Sequence, residues 1–374
     1  MKILHVTKKY PDIMGGDSTV VAGLEKYQKK MGHQVYILAS NCSEIRKSPT
    51  VTKYALKINS LNLDRINLNR TISLFILFFY SFFYLKKIKP DIIHSHSPDL
   101  GFILSFPCKV FKIPIINTCH GITFSDKQYP FTKRKLEEFF LKYACFKKII
   151  TVNKNSLDDF KKLKIKNVNY LPNGIDLDQF QKKRSNINRK TVFLFVGRIE
   201  LEKGLMYLIN AVNELRKTEN NFELLLVGEG VDQTYFQDLV NSLSLTDYIK
   251  FLGKKNKDEV IDYYYRSDVF ISSTLHETFP MTVLEAWAAG LPVIITDVGG
   301  VSAICIDKEN ALIIPPENSK KISDAMTTLI KDQKLRRKLG ENGKKLVEEK
   351  YGWDKVILEF ENVYREVINK NNKE

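Results

Sequence analysis

Short runs of apolar residues recur along the chain and are separated by longer segments of mixed polarity. Runs such as Val192–Val196 and Phe222–Val227 fit strands that are buried on both faces of a sheet. Between such runs, apolar residues recur at helical spacing: Val21 and Leu24, with Gln28, lie on one face of a predicted helix. Strands that alternate with helices in this way predict α/β domains with doubly wound sheets.

The first half of the chain begins with a predicted strand–loop–helix–strand unit. Its segments are the strand Lys2–Val6, the loop Thr7–Gly16, the helix Ser18–Met31 and the strand Val35–Ala39. Residues 41–70 give a weaker pattern, in which we expect one or two strands near Val51–Lys57. Further strands are predicted at Asp91–His94, Pro114–Thr118, Lys147–Val152 and Val168–Leu171. These strands suffice for one sheet, so we expect a first domain over residues 1–180.

The second half repeats the alternation. Strands are predicted at Val192–Val196, Phe222–Val227, Tyr248–Leu252, Asp268–Ser272, Val293–Thr296 and Ala311–Ile314. Helices are predicted at Glu202–Arg216, Lys257–Arg266, Pro280–Gly290, Ser319–Lys331, Gln333–Lys350 and Trp353–Ile368. A polar linker, Gln181–Lys190, precedes this half, and Asn369–Glu374 is expected to fray. The length of 374 residues agrees with two domains, and we expect the second at residues 191–350.

One segment, Thr71–Leu85, is almost entirely apolar and aromatic, and Lys86, Lys87 and Lys89 follow it. It is too short to span a bilayer comfortably. Two interpretations stay open: a buried helix of the first domain, or a helix that lies in a membrane interface with a collar of lysines.

The composition adds a strong positive charge. There are 58 Lys and Arg residues against 43 Asp and Glu residues, a formal net charge of +15. A biased genome could account for part of it; the functional interpretations are an anionic membrane surface, a phosphate-bearing substrate or nucleic acid. The five cysteines show no C-x-x-C spacing, which favours a reducing compartment, and the first residues form a strand and not a signal peptide. We therefore expect a cytoplasmic protein.

Two glutamates mark the first candidate site. Glu277 lies in a loop before the predicted helix Pro280–Gly290, and Glu285 lies inside that helix. Acidic groups around a helix N-terminus suit a ligand that has an anionic part for the backbone N–H groups and hydroxyls beside it. A nucleotide sugar has both parts, although two solvated surface glutamates would give the same spacing.

A second candidate site follows the strand Val192–Val196. Gly197 and Arg198 form the turn after that strand, and Lys203 lies at the N-terminus of the next helix. Fork-shaped donors, a point charge and a helix dipole together can hold a diphosphate. A dinucleotide fingerprint beginning at Gly228 would need a third glycine where the chain has Gln233, so an NAD site is not supported.

The chain carries H-E-T-F-P, L-E-A, A-G-L-P-V and D-V-G-G within residues 276–300, and F-V-G-R-x-x-x-E-K-G within residues 195–204. Together these strings resemble the signature of retaining glycosyltransferase family 4. The similarity covers nearly the whole chain, most strongly over residues 197–300. It implies the glycosyltransferase-B fold: two Rossmann-like domains that face a central cleft, with the C-terminal helix 353–368 crossing back onto the first.

The resemblance also implies residue roles. His120 would contact the donor sugar, and Gly15 and Gly16 would approach the donor diphosphate. Arg198 and Lys203 would hold the diphosphate, Glu277 the sugar hydroxyls and Glu285 the ribose. Gly197, Phe279 and Pro280, which belong to the matching strings, complete the expected donor-binding set. No metal site and no cofactor are expected.

The predicted activity is retaining transfer of a hexose-type sugar from a nucleoside-diphosphate sugar, with UDP favoured, to a glycan or a lipid-linked acceptor. Surface polysaccharide synthesis and attachment to the inner face of the cell membrane are the expected setting. Two alternatives stay open: a nucleotide-sugar epimerase or hydrolase on the same fold, and a basic nucleic-acid-binding protein. Dispersed lysines argue against the second, and we expect no nucleic acid partner.

Overall fold

The computed structural model describes residues 1–10, 16–41, 53–55, 68–126, 128–182 and 190–373. Gly15 and most of the predicted linker lie outside the described residues. The chain divides into two compact units, one made of Met1–Gly174 with Trp353–Glu374 and the other of Ile175–Gly352. Residues after Gly174 pack with the second unit, where Phe180 is buried with its ring 6.5 Å from that of Tyr264.

The first unit is built on a seven-stranded parallel sheet in the order β3-β2-β1-β4-β5-β6-β7. Its strands are β1 (Lys2–Lys9), β2 (Gln34–Asn41), β3 (Lys53–Ala55), β4 (Ile92–Ser95), β5 (Ile115–Cys119), β6 (Phe146–Thr151) and β7 (Val168–Tyr170). The short strands β4 and β5 are buried along their full length, as strands covered on both faces must be. Chain order reverses between β1 and β4, which are neighbours in the sheet.

The described residues of the same unit also form the helices α1 (Gly16–Lys30), α2 (Leu68–Ile88), α3 (Pro98–Phe111), α4 (Phe131–Tyr143), α5 (Leu157–Lys162) and α12 (Trp353–Asn371). The C-terminal helix α12 packs on α1, and the Gln28 side-chain amide of α1 donates a hydrogen bond to the Tyr364 hydroxyl at 3.0 Å. Gly23 of α1 lies directly against the indole of Trp353.

The second unit has a six-stranded parallel sheet in the order β10-β9-β8-β11-β12-β13. Its strands are β8 (Thr191–Val196), β9 (Phe222–Val227), β10 (Ile249–Gly253), β11 (Val269–Ser272), β12 (Val293–Thr296) and β13 (Leu312–Ile314). Its helices are α6 (Leu205–Leu215), α7 (Gln233–Ser242), α8 (Lys257–Arg266), α9 (Met281–Ala288), α10 (Ser319–Lys331) and α11 (Gln333–Leu346). The predicted α/β class with two doubly wound domains is confirmed.

Several predicted bounds need correction. The strand β1 continues to Lys9, so the loop predicted from Thr7 begins later. The strand predicted at Asp91–His94 is followed by α3, which begins at Pro98, where proline is favoured because the first turn needs no amide donor. The predicted last helix ended at Ile368, whereas α12 runs to Asn371, whose side-chain amide donates to the Lys112 carbonyl at 3.0 Å.

The apolar helix α2 matches neither interpretation completely. Leu77, Leu85 and Ile88 are buried against the unit. On the other side of the same helix, Phe79 and Phe83 remain 67% and 60% exposed. Among the residues that the structure describes, no helix combines the length and apolar character needed to cross a membrane.

Candidate functional site

The loops that follow β8 and β11 meet at the carboxyl end of the second unit's sheet. Strand β8 lies between β9 and β11, which is where chain order reverses and where open α/β sheets bind ligands. The Ser273 hydroxyl donates to the Lys203 carbonyl at 2.9 Å, and the Leu275 amide donates to the Glu202 carbonyl at 2.9 Å. These bonds fix the two loops that carry the predicted cation and the predicted carboxylate.

Glycines permit this close approach. Gly204 has φ of +64°, and a Cβ there would lie 2.0 Å from the Ser273 carbonyl oxygen. Gly299 has φ of +52°, and a Cβ there would lie 2.0 Å from the Glu277 carbonyl oxygen. Gly197 belongs to the same packed layer, because its carbonyl lies against Gly228. Side chains at Gly204 and Gly299 would push the loops apart.

Lys203 and Glu277 are brought together by these loops. The Lys203 ammonium nitrogen lies 4.0 Å from a Glu277 carboxylate oxygen, and each side chain is about one-fifth exposed. The other Glu277 oxygen accepts from the Thr278 amide at 3.1 Å. A cation and a carboxylate therefore stand side by side just before α9, reachable by a ligand.

Arg198 is held differently. Its guanidinium forms ion pairs with Glu200 and Glu202, and the side chain is 59% exposed. A diphosphate would have to compete with these two carboxylates for the guanidinium. Exposed ion pairs of this kind are weak, so the exchange costs little.

Glu285 lies in α9 and is fixed by α8. The buried Tyr264 hydroxyl donates to a Glu285 oxygen at 2.8 Å. Burial raises the pKa of Glu285, and the hydrogen bond from Tyr264 and the charge of Lys257 partly oppose that rise. Burial beside this carboxylate also raises the pKa of Tyr264 well above its usual value, so the tyrosine stays a donor.

Phe279 and Pro280, also predicted to bind the donor, have buried side chains. The ring of Phe279 lies 6.2 Å from that of Tyr351. Pro280 precedes α9, and its carbonyl accepts from the Val283 amide at 3.0 Å. Their side chains shape the loop from within, so contact with a ligand would fall to the backbone.

In the first unit, the predicted residue His120 belongs to a cluster that the sequence did not reveal. Gly16, the other described member of the predicted set there, is the first residue of α1 and is exposed. His120 follows β5, and its Nε2 lies 3.0 Å from Nδ1 of His96 at the end of β4. The His96 Nε2 lies 2.9 Å from Nδ1 of His5 on β1.

The cluster continues on both sides. The His5 Nε2 lies 2.8 Å from the Gln28 side-chain oxygen. His94, paired with His5 in the β1–β4 register, lies 2.7 Å from the Tyr364 hydroxyl through Nδ1 and 2.7 Å from the Thr118 hydroxyl through Nε2. The available signal was the spacing of His94 and His96 at the end of a buried strand.

Burial keeps these histidines neutral. It lowers the pKa of His5 to about 4, against a hydrogen bond with Gln28, and the pKa of His120 to about 4, against the nearby Asp17 carboxylate. Burial and neighbouring histidines lower the pKa values of His94 and His96 well below the usual value.

A cluster of histidines could also bind a metal ion. Ligand atoms of His5, His94 and His96 lie within 4.8 Å of one another. All six of their ring nitrogens already take part in hydrogen bonds. A metal ion would have to break several of these bonds, so the donor set fits a hydrogen-bonded network better than a metal centre.

Comparison with known proteins agrees with the fold and the loop motifs. Residues 14–179 match the family model for Glycosyltransferase Family 4, and residues 178–346 match the model for Glycosyl transferases group 1. An uncharacterized glycosyltransferase of Methanocaldococcus jannaschii is 31% identical over 284 residues, covering 74% of this chain and 76% of that protein. The chain belongs to the group 1, family 4 glycosyltransferases.

More distant matches cover almost the full length. The capsular polysaccharide biosynthesis glycosyltransferase CapM of Staphylococcus aureus is 25% identical over 97% of this chain and 96% of its own. Sucrose-phosphate synthase of Thermosynechococcus elongatus shares the fold at a TM-score of 0.84, 21% identity and 99% coverage of both chains. HepE of Anabaena, solved with UDP and glucose, does so at 0.79 and 16%, covering 97% of this chain and 99% of its own.

Proposed function

We propose that this glycosyltransferase moves a hexose-type sugar from a nucleoside-diphosphate sugar, with UDP as the favoured nucleotide, to a glycan or lipid-linked acceptor. The observation that carries the proposal is the pair Lys203 and Glu277 at the reversal point of the second sheet, directly before α9. Ligands of open α/β sheets bind at this point. The similarity to HepE, which was solved with UDP and glucose, supports the choice of donor.

In this proposal, the cationic residues bind the diphosphate and the carboxylates bind hydroxyl groups. Lys203 and Arg198 offset the charge of the leaving diphosphate, since positioned cations stabilise charge that develops in a transition state. Glu277 accepts hydrogen bonds from the sugar hydroxyls, and Glu285 holds the ribose. Gly15 and Gly16 approach the diphosphate through their backbones. His120 contacts the sugar.

Transfer proceeds with retention and with no divalent metal in this proposal. The bond between the anomeric carbon and the diphosphate oxygen breaks, and the acceptor oxygen bonds to the same face of that carbon. The acceptor proton passes to the departing diphosphate oxygen. Arg198 and Lys203 take the place that a cation would have in a metal-dependent transferase.

A panel of nucleotide sugars tests the donor assignment. The accepted donor should raise the unfolding midpoint, because it binds only the folded state. Transfer to a glycan acceptor should continue with chelator present, and the product should keep the anomeric configuration of the donor by NMR. Loss of activity with chelator would show that transfer needs a metal ion. Turnover that needs no acceptor would instead identify a hydrolase or epimerase.

We also propose that the enzyme works at the inner face of an anionic membrane. The first unit carries an exposed aromatic face, made of Phe79, Tyr80, Phe83, Phe106, Val110, Phe131, Phe139 and Tyr143. Half-buried rings link the three helices under this face: Phe78 on α2 stacks on Phe106 of α3 at 6.1 Å, and Phe102 on α3 lies 5.4 Å from Phe139 of α4. Contiguous exposed apolar surface of this kind marks an interaction site.

Lysines border the aromatic face, and their charge favours an anionic partner. The Lys87 ammonium lies 6.0 Å from the ring centre of Phe83, and that of Lys135 lies 5.8 Å from the ring centre of Phe131. A recess of about 290 Å³ opens between α2, α3 and α4, lined by aromatic residues and by Lys109. Apolar rings with a basic rim fit an anionic lipid surface, where each lysine contributes about 1 kcal/mol.

Vesicle flotation tests the membrane proposal. The wild type should float with anionic vesicles at low salt and much less with zwitterionic ones. The double variant Phe79→Ser/Phe83→Ser should stay in solution. Leu358→Ser, which replaces a 53% exposed apolar residue of α12, is the matched control and should float like the wild type. Equal flotation of all three proteins would show that the aromatic face is not the docking surface.

A further inference from the structure

Three of the chain's six histidines form one hydrogen-bonded file in the first unit. The file runs from Gln28 through His5 and His96 to His120, with heavy-atom distances of 2.8, 2.9 and 3.0 Å. Neighbouring rings lie nearly parallel: His5 and His96 at 25°, His96 and His120 at 16°. The file ends at His120 Nδ1, which is buried and has no hydrogen-bond partner among the described residues.

The orientation of the Gln28 side-chain amide determines which ring nitrogen of each histidine in the file carries the proton. A neutral imidazole carries one N–H and one lone pair, so a bond at one nitrogen decides the role of the other. The Gln28 amide nitrogen donates to the Tyr364 hydroxyl, so the Gln28 carbonyl faces His5. His5 must therefore donate from Nε2 and accept at Nδ1.

The same alternation passes along the rest of the file. His96 donates from Nε2 to His5 and accepts at Nδ1. His120 donates from Nε2 to His96, which leaves a bare lone pair at its Nδ1. The side branch agrees: Tyr364 accepts from Gln28 and donates to His94 Nδ1, and His94 Nε2 donates to Thr118.

The free end supports the same direction independently. If every proton were reversed, His120 Nδ1 would carry a buried N–H with no acceptor in the described structure. Orphaned buried N–H groups are rarer than buried acceptors that lack a donor. Both ends of the file therefore favour the arrangement that leaves a lone pair at His120.

We propose that Gln28, His5 and His96 are positioning residues that fix the tautomer of His120, so that its Nδ1 accepts a hydrogen bond from a ligand hydroxyl. An imidazole lone pair accepts a hydrogen bond from an O–H group. It repels an ionised phosphate oxygen, which has lone pairs and no proton to donate. His120 would thus contact the hydroxyl-bearing part of a ligand and not a diphosphate. The hydroxyl ligand rests on the proposed function; the tautomer does not.

The tautomer is measured in the free full-length protein by NMR of histidine ring nitrogens labelled with nitrogen-15. We expect His120 to show a protonated Nε2 and an unprotonated Nδ1, with a preference of about tenfold or more, because the reverse leaves a buried N–H unsatisfied. A proton on Nδ1 of His120 in the wild type would overturn the proposal. This measurement needs no substrate, so its failure and the failure of the sugar-transfer proposal are distinguishable.

A pair of variants separates tautomer control from support of the fold. Gln28→Met removes the acceptor of His5 at similar volume, so each direction of the file then leaves one buried N–H unsatisfied. We expect the His120 tautomer ratio to fall toward one. Leu24→Ala truncates a buried residue of the same helix that has no polar side-chain atom to bond to the file, and it should lower stability while keeping the wild-type ratio.

An unchanged ratio in Gln28→Met, or an equal change in Leu24→Ala, would contradict the role given to Gln28. If Gln28→Met does not fold, the wild-type tautomer alone decides. In transfer assays, Gln28→Met should lose preference for a donor or acceptor that carries the contacted hydroxyl over its deoxy analogue, and Leu24→Ala should keep that preference.

Discussion

The two cations of the second unit's site are not equivalent, although both were predicted from the same motif. Lys203 is four-fifths buried and has a site carboxylate, Glu277, beside it. Arg198 is mostly exposed and is shared between Glu200 and Glu202. The lysine is therefore pre-positioned, while the arginine must turn from its neighbours to the ligand.

We predict that Lys203→Ala and Arg198→Ala each slow sugar transfer by about 10²-fold, as loss of a positioned electrostatic donor does. Lys254→Ala is the control, because Lys254 is a half-exposed lysine whose partner, Glu229, lies outside the proposed clamp. It should keep near-normal rates. Steady-state kinetics with circular dichroism as a check on folding makes the comparison. Full activity in both clamp variants would exclude the clamp.

At the scale of elements, three adjacent strands or their ends bring buried histidines together. The strands β1, β4 and β5 carry or precede His5, His94, His96 and His120, which stay neutral in the folded protein. In the unfolded chain the same side chains titrate near 6.5. Below that pH the unfolded state binds protons that the folded state does not, so stability falls as pH falls.

We therefore predict that the first unit loses stability between pH 6.5 and about 4. Each histidine lowers the free energy of unfolding by up to about 1.4 kcal/mol per pH unit in this range. Over one pH unit, the combined loss from four histidines is comparable to a typical total stability. Glu137, whose pKa burial raises, acts in the opposite direction as a single group. Urea unfolding at pH 7 and pH 5 measures the difference. An equal free energy of unfolding at both values would contradict neutral buried histidines.

In both units, more of the secondary structure than of the site geometry could be predicted from the sequence. Buried parallel strands are continuous apolar runs, so Phe222–Val227 and Val293–Thr296 were predicted with their observed bounds. The helices α3, α4, α5 and α7 were missed. The histidine file was missed too, because its members are distant in sequence and meet only when β1, β4 and β5 pair.

Loop residues show the same limit. The sequence identified Lys203 and Glu277 as separate motif members, and only the loop-to-loop hydrogen bonds explain why they are neighbours. Phe279 and Pro280 belong to the same string, yet their side chains are buried. A string of letters does not say which side of a loop faces the ligand.

We propose that Glu277 and Glu285 hold different parts of a nucleotide sugar. Glu285, fixed by Tyr264 inside the unit, should bind the ribose equally in ground and transition states, which affects mainly KM. Glu277, beside Lys203 at the mouth of α9, should act on the sugar as charge develops, which affects mainly kcat.

Calorimetry with the nucleoside diphosphate, beside steady-state kinetics, tests this division most directly. Glu285→Gln should weaken binding of the nucleoside diphosphate. Glu277→Gln should keep that affinity nearly intact and still slow transfer strongly. Loss of nucleoside diphosphate binding in Glu277→Gln with retention in Glu285→Gln would reverse the assignment, and no effect of either variant would remove the glutamate pair from the site.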